Sequence, residues 1–207
     1  MRRSKYGYLL LALLVITGFA GTITSTSITS KERKFAANHL KDTKTDLLKT
    51  VKGLSQAQLD FKASPDRWSI KECTYHIAIA EKNIWQMLEA ALKEPVNPEK
   101  RSEIKLTDEE VIAMLEDRSK KIKTTESFEP KNTPYKTLDE ALESFKSSRA
   151  DHIKYIKNTT EDLRNHVAQM PFGWIDCYQL CLLMSAHSNR HTQQIEEVKA
   201  DPGFPSR

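Results

Sequence analysis

A chain of 207 residues is long enough for one domain with a real core and a squeeze for two. Only 6 glycines, set among many Lys, Glu, Ala and Leu, argue against the glycine-punctuated short strands of a sandwich or barrel and for helix. The formal net charge of +4 loses three basic residues, Arg2, Arg3 and Lys5, if the first segment is a leader, leaving +1. No Lys/Arg cluster with interleaved aromatics remains after it, which excludes the electrostatic footprint of a nucleic-acid binder.

Those three basic residues precede an apolar run over 6–20, and Gly18-Phe19-Ala20 supplies a small-x-small cleavage site. Residues 1–20 therefore read as a signal peptide, with a polar tail reaching to about 28, and the mature chain as an exported protein, periplasmic or secreted. The run is shorter than the roughly 20 residues that span a bilayer comfortably, so cleavage is favoured over an anchor. If uncleaved, the same segment is the protein's only expected tether to a membrane. Residues 29–207 form the domain.

Helix starts are well marked. Thr29-Ser30-Lys31-Glu32 is a capping box that opens a helix carrying Phe35, Leu40, Leu47 and Val51 up to Gly53. A short segment after Ser55 leads to Pro65. Ser69-Ile70-Lys71-Glu72, directly behind Trp68, is a second capping box, and its helix runs to about Leu92. Ile70, Cys73, Ile77, Ala80, Ile84 and Leu88 make the apolar face of that helix, with His76 at its border. Pro95 and Pro98 end the stretch.

Thr107-Asp108-Glu109-Glu110 caps a third run, with Val111, Met114 and Leu115 on its apolar side, fading near Lys123. A polar, proline-punctuated loop over 124–134 follows. Thr137-Leu138-Asp139-Glu140 starts a helix that reaches about Asn158 with Leu142, Phe145, Ile153 and Ile156 inward. Pro171, Phe172 and Gly173 make a turn, and the last helix runs from about Trp174 to Lys199, stopped by Pro202 and Gly203. Four substantial amphipathic helices and one shorter one bury their stripes by packing together, so the expected class is all-α, a four-helix bundle with an additional short helix. Connections of more than ten residues permit non-adjacent packing, and the sequence leaves the topology open.

Cys73, Cys177 and Cys181 are odd in number, a poor fit to a disulfide-stapled domain. Cys177 and Cys181, four apart on one helix, stand about 6 Å apart at Cβ, too far for an unstrained bridge. A bridge from Cys73 to either stays open, beside the plainer reading of all three as small apolar packing residues. Trp68 reads as a hydrophobic staple at its capping box, and Trp174 as its counterpart at the last helix.

On the last helix Leu180, Leu183, Met184, His187, His191, Gln194 and Val198 fall on one stripe. Two histidines thus hold core seats four residues apart, which stacks their rings on one face in the way a helix offers two imidazoles to one metal. His76, at the core margin of its helix, is a third candidate. A buried imidazole without partners must shed its proton and still leaves polar nitrogens to satisfy. One metal satisfies all three rings together; the competing account gives each ring its own hydrogen bond in the core. Zinc, nickel or cobalt accept imidazole nitrogen, and three ligands leave a position open. His39, His152 and His166 receive no function. Arg149 and His152 lie near the core face of their helix, where Arg149 has Glu72, Glu81 or a bound anion as partners; a solvated rim position is the expectation for them.

Trp68-Ser69-Ile70-Lys71-Glu72, then His76, and His187-Ser188-Asn189-Arg190-His191-Thr192-Gln193-Gln194-Ile195 together resemble the DinB superfamily. The resemblance extends to Pro171-Phe172-Gly173-Trp174-Ile175-Asp176 and to the closing Asp201-Pro202-Gly203-Phe204-Pro205. It implies a four-helix bundle, often a homodimer, with a divalent metal held by His76, His187 and His191. It brings into view metal-dependent hydrolases, thiol-cofactor-dependent S-transferases and a thiol-using maleylpyruvate isomerase, all acting on small molecules. An export leader departs from the usual cytoplasmic member and separates the protein from intracellular thiol cofactors, whereas hydrolysis needs only water. Glu72, one turn before His76, is a candidate to orient that ring or act as base, and Gln194 a candidate to support a ligand ring without itself binding the metal. A non-catalytic metal- or ligand-binding stress-response module is the alternative reading.

Overall fold

The structure, a computed structural model, describes residues 28–120 and 123–206; the leader expected over 1–20, with its tail, lies outside the described residues up to position 27. In chain order the elements are α1 (Ser30–Val51), α2 (Gln56–Asp60), α3 (Ile70–Lys93), α4 (Pro98–Arg101), α5 (Asp108–Glu116), α6 (Leu138–Asn158), β1 (Val167–Met170), β2 (Gly173–Asp176) and α7 (Cys177–Lys199), with two 3-10 turns, Glu126–Phe128 and Pro130–Asn132, between α5 and α6.

The starts follow the local chemistry of the sequence. Thr29, Ser69 and Thr107 each accept the N3 backbone N–H, while Glu32, Glu72 and Glu110 accept the cap's own N–H, so two orphan donors are satisfied at each of α1, α3 and α5. Gly53, with φ 72°, turns the chain away after α1 in a conformation a side chain would disfavour.

The described structure is mostly helical, and it departs from the all-α expectation in one place. β1 and β2 pair antiparallel with Met170 opposite Gly173 and Val167 opposite Asp176. Pro171 and Phe172 make the two-residue turn, and Gly173, at φ 128°, re-aims the chain into β2. Trp174 is therefore a strand residue rather than a helix staple. Asp176 is the cap of α7: its Oδ1 accepts the Gln179 N–H at 2.7 Å.

The third helix is also shorter than its apolar pattern suggests. It stops at Glu116 because the guanidinium of Arg190, from α7, takes the carbonyls of Leu115, Asp117 and Lys120, which draws the chain out of helical register.

Helices α6 and α7 each pack on both α1 and α3, and α5 lies along the outside of α7. The two consecutive long helices α1 and α3 thus face each other diagonally, as do α6 and α7. Connections over 52–69 and 159–176 are long enough to cross the bundle. The core is largely apolar, built on Leu40, Leu47, Ile77, Leu88, Phe145, Ile156, Leu180 and Leu183, and it also encloses a charged pair. Arg149 is wholly buried and pairs with buried Glu81, and His152 Nδ1 lies 2.7 Å from the same carboxylate. The solvated rim expected for Arg149 and His152 is corrected: Glu81 supplies the countercharge that makes burial tolerable. No helix among the described residues is long and apolar enough to cross a membrane. All three cysteines are buried and free, so the Cys73 bridge does not form.

Candidate metal centre

The direct packing of α3 on α7 brings together the three histidines that the sequence singles out. His187 and His191 occupy successive turns of α7 and His76 meets them from α3. One nitrogen from each ring lies within 4.8 Å of the others, and the ring centroids are 4.3–4.8 Å apart. His76 and His191 are buried, while His187 keeps partial exposure.

Outward hydrogen bonds fix the tautomers of two of the rings. His76 Nδ1 is 2.7 Å from the carbonyl oxygen of Phe128 and His191 Nδ1 is 2.9 Å from Gln194 Oε1. Each oxygen can only accept, so each Nδ1 carries the proton and each Nε2 presents a lone pair. His76 Nε2 stands 3.1 Å from His187 Nε2. There His187 either donates a proton to His76 or, with its own lone pair turned inward, joins it in facing a cation.

The electrostatics keep the rings neutral. Burial lowers the His76 pKa to about 4, against the pull of its bond to the Phe128 carbonyl. Burial also holds His187 and His191 well below the ordinary range, and neighbouring rings and guanidinium groups push the same way. At neutral pH all three are uncharged imidazoles, the form that binds a metal. Three neutral nitrogens of this kind suit a divalent transition metal.

Trp68 does more than staple the start of α3. Its ring centroid lies 4.8 Å from that of His76 and 5.8 Å from that of His191, forming a wall of the cluster. A cleft of about 400 Å³ is lined by Trp68 and Gln194, with Ser64, Arg67, Glu197 and Asp201 among others, and by none of the three histidines. The remaining polar residues singled out in the sequence are committed elsewhere. Glu72 Oε2 accepts the Ser69 N–H at 2.8 Å and Oε1 takes Lys62 Nζ at 2.7 Å, so its carboxylate serves the cap and an ion pair. His39 Nε2 is 3.5 Å from Glu116 Oε1, and His166 Nδ1 is 3.1 Å from the Ala91 carbonyl. The sequence gives no sign of Phe128, whose contribution is a backbone oxygen in a loop, nor of Arg118, which donates to Gln194 Oε1 at 3.4 Å.

The model of the DinB superfamily matches residues 39–195. The uncharacterized protein YuaE of Bacillus subtilis (strain 168) is 26% identical over 151 residues, covering 72% of this chain and 88% of that protein. Among solved structures, YfiT from Bacillus subtilis superposes with a TM-score of 0.58 at 17% identity, over 86% of this chain and 92% of that one. YfiT is described as "a probable metal-dependent hydrolase with an unusual four-helix bundle topology". The likeness to it is one of fold. The match over most of the chain places the protein in the DinB superfamily.

Proposed function

We propose that this protein is an exported metal-dependent hydrolase that holds one divalent transition metal, zinc or nickel, on Nε2 of His76, His187 and His191. The observation that carries the reading is the convergence of three neutral imidazoles, two of them oriented by hydrogen bonds at Nδ1. The description of YfiT, a protein of the same fold, supports it.

A divalent ion on three neutral ligands keeps its full charge, acts as a Lewis acid and lowers the pKa of bound water towards about 7. The chain's own residues position the ligands. Phe128 and Gln194 fix two tautomers, and Trp68 packs against two rings. The same ion could ionise a thiol, which makes a thiol-dependent transferase the neighbouring reaction. Outside the cell, water is the abundant nucleophile.

The test is elemental analysis of untagged protein beside a His187→Ala/His191→Ala double variant. One equivalent of zinc or nickel, lost in the variant, with hydrolysis on an ester and amide panel, is the expected result. Absence of metal after reconstitution would overturn the reading. A second reading, a metal that only steadies the bundle, draws on the cluster's position joining α3 to α7. It predicts a large drop in thermal stability on chelation and no turnover on hydrolytic or thiol-transfer panels.

A further inference from the structure

The two outward imidazole bonds differ in kind. The Phe128 carbonyl that faces His76 can only accept, so its orienting role is fixed by the backbone. Gln194, which faces His191, is an amide with two ends. Oxygen towards His191 places the ring proton on Nδ1 and leaves Nε2 free for a metal. The amide NH2 in that place would require a lone pair on Nδ1, move the proton to Nε2 and close the ligand position.

Something must therefore choose the end of the Gln194 amide, and Arg118 is placed to do so. Arg118, just beyond the end of α5, directs Nη1 at the same Oε1 that faces His191, at 3.4 Å. A guanidinium has donors only, so a reversed amide would set NH2 against N–H. Arg118 is itself held in place. Its Nε and Nη2 bind the two carboxylate oxygens of Glu197 at 3.0 and 2.7 Å, a fork geometry that fixes the guanidinium plane. Its backbone is clamped on either side by Arg190, which takes the carbonyls of Asp117 and Lys120.

We infer that Arg118 is a positioning residue for the metal centre: through Gln194 it selects the Nδ1–H tautomer of His191 and so keeps Nε2 available as a ligand. The inference rests on the metal-centre reading above, and it assigns a part in that centre to a residue 73 positions away from His191 in the chain.

Zinc affinity is measured by chelator competition on untagged full-length protein, for wild type, Arg118→Met, Arg118→Lys, Gln194→Glu and the Arg118→Met/Gln194→Glu double variant. The His191 tautomer is read from long-range 1H–15N couplings on the metal-free proteins. Loss of an orienting partner typically weakens metal binding 10–100-fold, so Arg118→Met is expected to bind zinc about tenfold more weakly and to move His191 towards Nε2–H. Arg118→Lys, still a donor, recovers part of both. A glutamate at 194 has no donor end when ionised, so in that background Arg118→Met should change zinc affinity less than about twofold.

Equal loss in both backgrounds would reduce Arg118 to a packing role and overturn the inference. So would wild-type affinity and an unmoved His191 proton in Arg118→Met. If wild type binds no zinc, the metal reading falls by itself. The tautomer shift then decides the inference alone: its presence in Arg118→Met sustains the selection of the ring proton, and its absence overturns it.

Discussion

Arg149 and Glu81 face each other in the middle of the bundle, Nη2 at 2.5 Å and Nε at 2.7 Å from the two carboxylate oxygens, with neither side chain more than 1% exposed. The remaining guanidinium hydrogens reach the Leu40 carbonyl and Thr43 Oγ1 on α1 and Ser188 Oγ on α7. All five donors of the guanidinium are used. One side chain of α6 thus fixes α1, α3 and α7 in register. Removal of one partner strands a charge in the core, so Arg149→Met should cost about 3–5 kcal/mol in urea unfolding. Glu81→Leu combined with Arg149→Met should cost markedly less than either single change. Additive losses would show that the ion pair is not the unit being measured.

The pH dependence of the metal-free protein has two windows with one sign. The buried histidines have folded-state pKa values below the ordinary 6.5, with His76 at about 4. Their unfolded forms take up protons first as pH falls. Stability is therefore full above about 6.5 and declines towards about 4. His76 alone contributes a loss on the order of a few kcal/mol across that window. Glu81 adds a lower window. Burial alone would raise its pKa, but the charge and hydrogen bonds of Arg149, with His152, hold it below 4.5. Its contribution is present above 4.5 and lost as pH falls through the folded value. Denaturant midpoints measured from pH 7 to pH 4 should fall continuously in chelated protein, and a flat profile would contradict buried neutral rings.

The parts of this molecule that the sequence displays are the local ones. Capping boxes at Thr29, Ser69 and Thr107 specify helix starts within four residues, and the four-residue spacing of His187 and His191 and the three-residue reach to Gln194 lie within one helix. His76 is recognisable because it borders an apolar face. The long-range parts are hidden. Phe128 lies 52 residues from His76 and Arg118 76 residues from Gln194, and neither type or spacing marks them. Arg149 has the composition of a surface residue and is buried only because Glu81, on another helix, receives it. The β1–β2 hairpin has strands of four residues, too short for alternation to stand out beside the long helix that follows.

The cysteines should be inert in the folded state. Burial pushes all three thiols up, Cys177 to about 12, so the reactive thiolate is scarce at neutral pH and the sulfurs are covered. A disulfide reagent such as DTNB should find no fast-reacting thiol in native protein and three after unfolding. Rapid modification of one under native conditions would mean that the packing around α3 and α7 opens locally.

Arg190 stands between the two α7 histidines in sequence and points to the end of α5. Nη1 meets the Leu115 carbonyl at 3.1 Å and also binds the Asp117 carbonyl, and Nη2 meets that of Lys120 at 2.7 Å. The Leu115 carbonyl is one of the acceptors α5 leaves unpaired at its C-terminus, and those of Asp117 and Lys120 lie just past it; a buried side chain satisfies all three in place of water. Arg190→Leu should cost about 2–3 kcal/mol, because several acceptors lose a charged donor at once. Arg190→Lys should recover only part, since one ammonium cannot span carbonyls that a planar fork reaches together. Amide exchange should rise first over 113–120, at the end of α5 and beyond it, while the middle of α7 stays protected. Exchange rising equally along α5 and α7 would mark Arg190 as a general core residue rather than the clamp on the segment that carries Arg118.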